Sequence, residues 1–128
     1  MQISRGVRIP LAELQLLGLK VTRDGGALYL LEGARYGIQT SLYRAEIVPG
    51  SGPVPHVHPY LEIFVIEAGQ GRYQVGDDEI DASAGDIVLV PPNMPHGFVN
   101  TGEARLRHVA IHEGAEHIIA TSVTGEPR

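Results

Sequence analysis

The chain has no cysteine and a single lysine, Lys20. Without thiols, a disulfide framework and any thiolate metal site are excluded, and the lack of both agrees with a reducing compartment. Cationic side chains are few as well: 10 Lys and Arg stand against 15 Asp and Glu, giving a formal charge of -5 and a pI near 5.6. A chain of that balance has no broad basic patch for nucleic acid or an anionic membrane surface, so neither is expected as a partner. No apolar run is long enough to span a bilayer, and the amino terminus lacks the apolar stretch of a signal peptide, so a cytoplasmic protein is expected.

Glycine and proline are plentiful, at 16 and 9, and they separate short runs of Val, Ile and Leu. That pattern favours short strands and tight turns over helices. At 128 residues the chain is expected to form one domain, with 1–10 and 119–128 loosely held. Leu11, Leu14 and Leu17 have helical spacing, but the run is too short to separate a helical turn from a strand. Asp24-Gly25-Gly26 is a turn signal, followed by a strand over Ala27 to Leu31, a turn over Gly33 to Gly37 and an extended segment over Ile38 to Val48. Gly71 to Val75 and Glu79 to Ala82 flank Gly76-Asp77-Asp78 as a hairpin. Ile87 to Val90, Gly97 to Asn100 and Leu106 to Ile111 complete the strands, and Glu113 to Ile118 is expected as a single helical turn. Short strands at close intervals with no long helical pattern predict an all-β sandwich or barrel. Leu61 to Glu67 and Ile87 to Val90 are apolar on both faces and are expected to be covered on both.

The chemistry concentrates in two stretches. In the first, His56 and His58 are separated by one residue, so an extended backbone would turn them to the same face, with Tyr60, Glu62, Phe64 and Ile66 in the same parity. Two imidazoles and a carboxylate on one face begin a metal site. In the second, an apolar strand and the turn Pro91-Pro92-Asn93-Met94-Pro95 lead to His96, which can meet the other three if its strand packs across from theirs.

These residues carry a resemblance to the cupins. Gly50, five residues, His56-x-His58, three residues, Glu62, six residues and Gly69 resemble the first cupin motif, over 50–69. Gly85, five residues, Pro91-x-Asn93, two residues, His96, three residues and Asn100 resemble the second, over 85–100. One departure is Asn93, which stands where the family usually has glycine. Asparagine is the next most tolerant residue of a left-handed turn, so the site is expected to survive the exchange.

The resemblance implies a small single-domain cupin of the type-2, conserved-barrel kind, with a double-stranded β-helix, or jelly-roll barrel, over residues 1–128. It implies that His56, His58, Glu62 and His96 bind one divalent transition metal. Three imidazoles and one carboxylate suit Fe, Mn, Ni, Cu, Co or Zn better than Ca or Mg. Four protein ligands leave two octahedral positions open, which favours a metal-dependent enzyme of dioxygenase-like chemistry on a small organic molecule. Metal-assisted isomerase, decarboxylase or lyase chemistry, and non-catalytic binding of a small molecule, are the alternatives. No acid or base is assigned.

Tyr60, Phe64, Met94 and Phe98 are pocket candidates by parity or proximity, against an ordinary reading as core or loop packing. His108 and His112 share parity on the last strand. The simpler reading makes them exposed strand histidines; the other turns one into the barrel, and His112 is the pocket candidate. Strands apolar on both faces point to a homodimer that covers an outer face.

Overall fold

The computed structural model describes residues 3–17, 26–116 and 121–122. Strands β1 (Gln15–Leu17), β2 (Ala27–Leu31), β3 (Ser41–Ile47), β5 (Glu62–Ala68), β8 (Ile87–Val90) and β10 (Leu106–His112) form one antiparallel sheet in the order β1-β2-β3-β10-β5-β8. Strands β4 (His56–Val57), β6 (Gln70–Val75), β7 (Asp78–Ser83), β9 (His96–Asn100) and β11 (Thr121–Ser122) form the second, in the order β11-β4-β9-β6-β7. Consecutive strands such as β4 and β5, or β8 and β9, belong to different sheets, which is the two-sheet jelly roll expected of the sequence.

Strict alternation builds the core. Along β3 and β10 every second residue is buried, so Tyr43, Ala45, Ile47, Leu106, His108 and Ala110 point inward while Arg44 and Arg107 stay exposed. Phe64, Ile66, Tyr73 and Phe98 join them from β5, β6 and β9. Fully burying one such large apolar side chain contributes about 1.5–3 kcal/mol. The hairpin β6–β7 turns at Gly76 and Asp77, as its turn residues require.

Several expectations are corrected. The ribbon from His56 to Ile66 is not continuous: the chain bends at Pro59 and Tyr60 and passes from one sheet to the other before β5 begins. Leu11–Glu13 is a short 3-10 turn and Gln15–Leu17 a strand, so the helical spacing of the leucines did not decide the segment. Residues 113–116 form bends rather than a helical turn, with 117 and 118 outside the described residues, as is most of the Asp24-Gly25-Gly26 turn. Finally, β8 is not covered on both faces within the chain, since Ile87 and Leu89 are 62% and 60% exposed.

Candidate metal centre

Two cross-strand pairs at strand ends make the site. His56 and His96 open β4 and β9 and are direct partners in the five-stranded sheet. Glu62 opens β5 and His112 closes β10, and these two are direct partners in the six-stranded sheet. The inner faces of the sheets oppose each other, so the two pairs converge at one end of the barrel. His58 joins them from the connection between β4 and β5.

Backbone contacts hold the connecting loops in place. Asn93 takes φ 61°, the left-handed conformation that the family's usual glycine would adopt without strain, and its N–H donates to the His58 carbonyl over 2.7 Å. The turn of the second motif is thereby tied to the His-x-His segment of the first. Gly52 lies so close to β9 that a Cβ there would sit 1.9 Å from the Phe98 carbonyl oxygen, so only glycine admits this approach. Past His112, the Glu113 N–H donates to the Leu61 carbonyl over 3.0 Å, and the Ser41 hydroxyl donates to Gly114 O over 2.8 Å. These bonds fix the chain on both sides of the Glu62–His112 pair.

The imidazoles are oriented through Nδ1. His56 Nδ1 lies 2.9 Å from Val54 O, and His96 Nδ1 lies 2.8 Å from Met94 O. A carbonyl only accepts, so each Nδ1 carries the proton and the Nε2 of the neutral ring carries a lone pair. The lone pair of His96 faces Glu62. Glu62 Oε1 is 2.9 Å from His96 Nε2 and 3.4 Å from His58 Nε2, and Oε2 is 3.0 Å from His112 Nε2. His58, Glu62, His96 and His112 are each at most 3% exposed, while His56 is half-buried.

Lone pairs and a carboxylate facing one another in a buried site require a positive charge between them, either a proton or a metal cation. The charges respond accordingly. Burial alone would raise the Glu62 carboxyl, but hydrogen bonding to His112 and His96 overcomes it and holds Glu62 far below the usual carboxylate range. Burial would likewise lower His96, yet its contact with Glu62 leaves it raised, whereas burial lowers His56. The ligand atoms of His56, His58 and His96 lie within 4.8 Å of one another, as do those of His58, Glu62 and His112. Either group could hold a metal ion, and the nitrogen-rich donor set fits a divalent transition metal.

The remaining candidates fall into two groups. Tyr60 stacks on His58, with ring centroids 5.1 Å apart and planes 9° from parallel, and its hydroxyl lies 2.9 Å from His112 Nδ1. Met94 is packed against the core and supplies the carbonyl that orients His96. Phe64 and Phe98 lie deeper, in an aromatic cluster with Tyr73 and His108. His108 and His112 are 2% and 1% exposed, which overturns their reading as exposed strand histidines: both share the inward parity of Leu106 and Ala110. Two neighbours escaped the sequence. Tyr43 points inward with its ring 4.9 Å from that of His112, and Tyr73 places its hydroxyl 2.6 Å from His108 Nδ1. Only the ladder pairing of β3, β10 and β5 reveals the first of these, and a single sequence does not contain that pairing.

The chain belongs to the cupin family: the family described as Cupin domain matches residues 43–118, which include both motif stretches and β10. An uncharacterized protein of Methanocaldococcus jannaschii is 31% identical over 90 residues, covering 68% of this chain and 72% of that one. A gentisate 1,2-dioxygenase of Haloferax sp. is 33% identical over 67 residues, 52% of this chain but 18% of the enzyme. Among solved structures, the oxalate decarboxylase OxdC of Bacillus subtilis superposes with a TM-score of 0.76 at 21% identity, over 88% of this chain and 31% of that one. The polyketide cyclase RemF of Streptomyces resistomycificus superposes with a TM-score of 0.74 at 16% identity, over 95% and 88%. At those identities the two structures establish the shared fold.

Proposed function

We propose that this protein is a metal-dependent cupin enzyme acting on a small organic molecule in the cytoplasm, with one divalent transition metal held by His56, His58, Glu62 and His96. The observation that carries this reading is the orientation of the rings: two carbonyls hold the Nδ1–H of His56 and His96, leaving Nε2 of each with its lone pair and that of His96 turned to Glu62. Fe, Mn, Ni, Cu, Co and Zn all suit that donor set. When bound, the metal supplies a Lewis acid with open coordination positions at which a substrate, alone or together with dioxygen, can be held.

The chain's own residues do the rest. Glu62 offsets cationic charge in a site that excludes most water, and the carbonyls of Val54 and Met94 keep two rings in one tautomer. Tyr60 presents an aromatic face beside His58 against which a planar substrate can rest. Oxygen-dependent chemistry of the dioxygenase kind needs two adjacent open positions, which a four-donor set leaves, and a relative named as a dioxygenase supports it. Metal-assisted isomerisation, decarboxylation or lyase chemistry needs only one, and the proximity of His112 to the cluster favours that second reading.

Metal analysis of protein purified without nickel resin tests the proposal. About one equivalent per chain is expected, with a rise in Tm on adding Fe, Mn, Ni or Zn to stripped protein. Trace metal and an unmoved Tm would remove it. Oxygen uptake by the Fe(II) form over phenolic, diketone and thiol compounds then separates oxygen-dependent from oxygen-independent chemistry.

The same chain is proposed to work as a two-fold homodimer. Leu31, Leu42, Ile111, Ile63 and Leu89 are successive partners across β2, β3, β10, β5 and β8, forming one apolar row on the outer face of the six-stranded sheet. Val109, Val65 and Ile87 lie in the next row, and Arg44, Glu46, Glu67 and Arg107 supply charges of both signs beside it. An apolar face flanked by both charges is self-complementary, so a second copy fits it. Light scattering at micromolar concentration giving only the 13.8 kDa species would remove the dimer.

A further inference from the structure

We propose that His112 is a fifth protein ligand of the same metal, contributed from outside both motif stretches. The inference rests on the metal-centre reading above and extends it. His112 Nε2 is 3.0 Å from Glu62 Oε2, and its ligand atom falls within 4.8 Å of those of both Glu62 and His58. Donor atoms bound to one transition metal at about 2.0–2.2 Å lie roughly 3–4.5 Å from each other, and the 3.0 Å between His112 Nε2 and Glu62 Oε2 allows the two to share a cation.

The ring is prepared in the same way as its neighbours. His56, His96 and His112 each have Nδ1 within 2.8–2.9 Å of an oxygen, and Nε2 of His96 and of His112 lies against Glu62. For His112 the oxygen is the Tyr60 hydroxyl; when that hydroxyl accepts the Nδ1–H, Nε2 keeps its lone pair for a metal. The Ser41 and Glu113 bonds anchor the backbone at this end of β10, and the Tyr43 ring packs edge-on against the imidazole at 4.9 Å. A histidine 1% exposed, held on two sides and aimed at a carboxylate, has the rigidity a ligand needs.

The consequence concerns reaction class. Four imidazoles and one carboxylate on an octahedral ion leave one exchangeable position rather than two. A substrate can then be polarised there, but substrate and dioxygen cannot both occupy the metal. Five protein donors would therefore favour Lewis-acid chemistry, such as isomerisation, decarboxylation or elimination, over a reaction that binds substrate and dioxygen together.

The test counts the bound rings directly. Protein labelled with 15N in its histidines is loaded with 113Cd, and long-range proton–nitrogen spectra show which Nε2 atoms are split by coupling to the metal. Splitting is expected in the rings of His56, His58, His96 and His112, with the last assigned by its loss in His112→Gln. That variant should still take up cadmium through the four remaining donors, with affinity at least about a hundredfold weaker, beyond the loss typical of groups that only support a ligand. Splitting confined to His56, His58 and His96 in the unaltered protein would overturn the fifth ligand and leave the four-donor site standing. Splitting in no ring would overturn the metal centre itself. Four split rings rather than three in the unaltered protein decide the count, and His112→Ala supplies the assignment should His112→Gln fail to fold.

Discussion

Glu62 and His112 occupy one rung of the ladder between β5 and β10, and Oε2 and Nε2 of the two are 3.0 Å apart. Glu62 turns its other oxygen to His96, 2.9 Å away, so a single carboxylate joins donors from both sheets. The charge balance of the centre depends on this side chain.

Glu62→Gln keeps the shape of the side chain but removes the negative charge opposite His58, His96 and His112. Affinity for Zn or Mn should fall by at least about a hundredfold, beyond the range typical of groups that only support a ligand. Titration of stripped protein with either metal measures it, and unchanged affinity would show that Glu62 lies outside the coordination shell.

Asn93 carries the one positive φ among the described non-glycine residues, and its N–H holds the His58 carbonyl. Asn93→Gly should stay within about 1 kcal/mol of the parent stability in urea, because glycine takes this conformation freely. Asn93→Val places a branched Cβ in the left-handed region and should cost about 1–2 kcal/mol. Equal stabilities for the two variants would mean that the turn relaxes to another conformation.

His108 gives a pH signature separate from the cluster around Glu62. Burial pushes its imidazole down from 6.5 to about 4, in a shell of Phe64, Tyr73 and Phe98. As pH falls below 6.5 the unfolded chain takes up the proton and the native one does not, so stability is full above 6.5 and is lost progressively toward 4. The loss is on the order of 3 kcal/mol. His56 and His96 also titrate differently from free imidazole, in opposite directions, so the comparison is with a Tyr73→Phe/His108→Leu double variant that leaves them in place. The double variant should show a shallower decline in urea stability from pH 6.5 to 4, and matching slopes would contradict a neutral buried His108. Replacing both partners avoids stranding the Tyr73 hydroxyl, so this variant should also be more stable than either single one.

Leu89 stands at the end of the outer apolar row and is 60% exposed. Leu89→Glu should leave the far-UV spectrum of the chain unchanged while halving the mass seen by light scattering, because a buried carboxylate at a two-fold contact meets its own copy. A dimer that persists would place the contact on another face.

Much of this was legible before the fold was known. Turn residues with a physical reason to be where they are, such as the Gly76-Asp77-Asp78 hairpin, placed β6 and β7 within a residue or two, and Ala27 to Leu31 matches β2. His56, His58, Glu62 and His96 could be collected because two short motifs hold them at fixed spacings. His112 could not. Its partner Glu62 is fifty residues away in sequence, and only the pairing of β10 with β5 brings the two together. Parity showed that His108 and His112 share a face, but local pattern does not say which face is inside when Val109 and Ile111 opposite them are apolar too. The assumption of one straight ribbon from His56 to Ile66 failed for a related reason. Pro59 follows His58, and the bend there carries the chain between sheets without disturbing which side chains meet inside.

The alternation along β10 puts the histidine-lined interior and the apolar outer row of the sheet on a single strand: Ile111 outside, His112 inside, Val109 outside, His108 inside. Deleting one residue between Leu106 and Val109 would not merely shorten a strand. It would exchange the two surfaces, feeding Val109 and Ile111 into the barrel interior and turning His112 outward, away from Glu62.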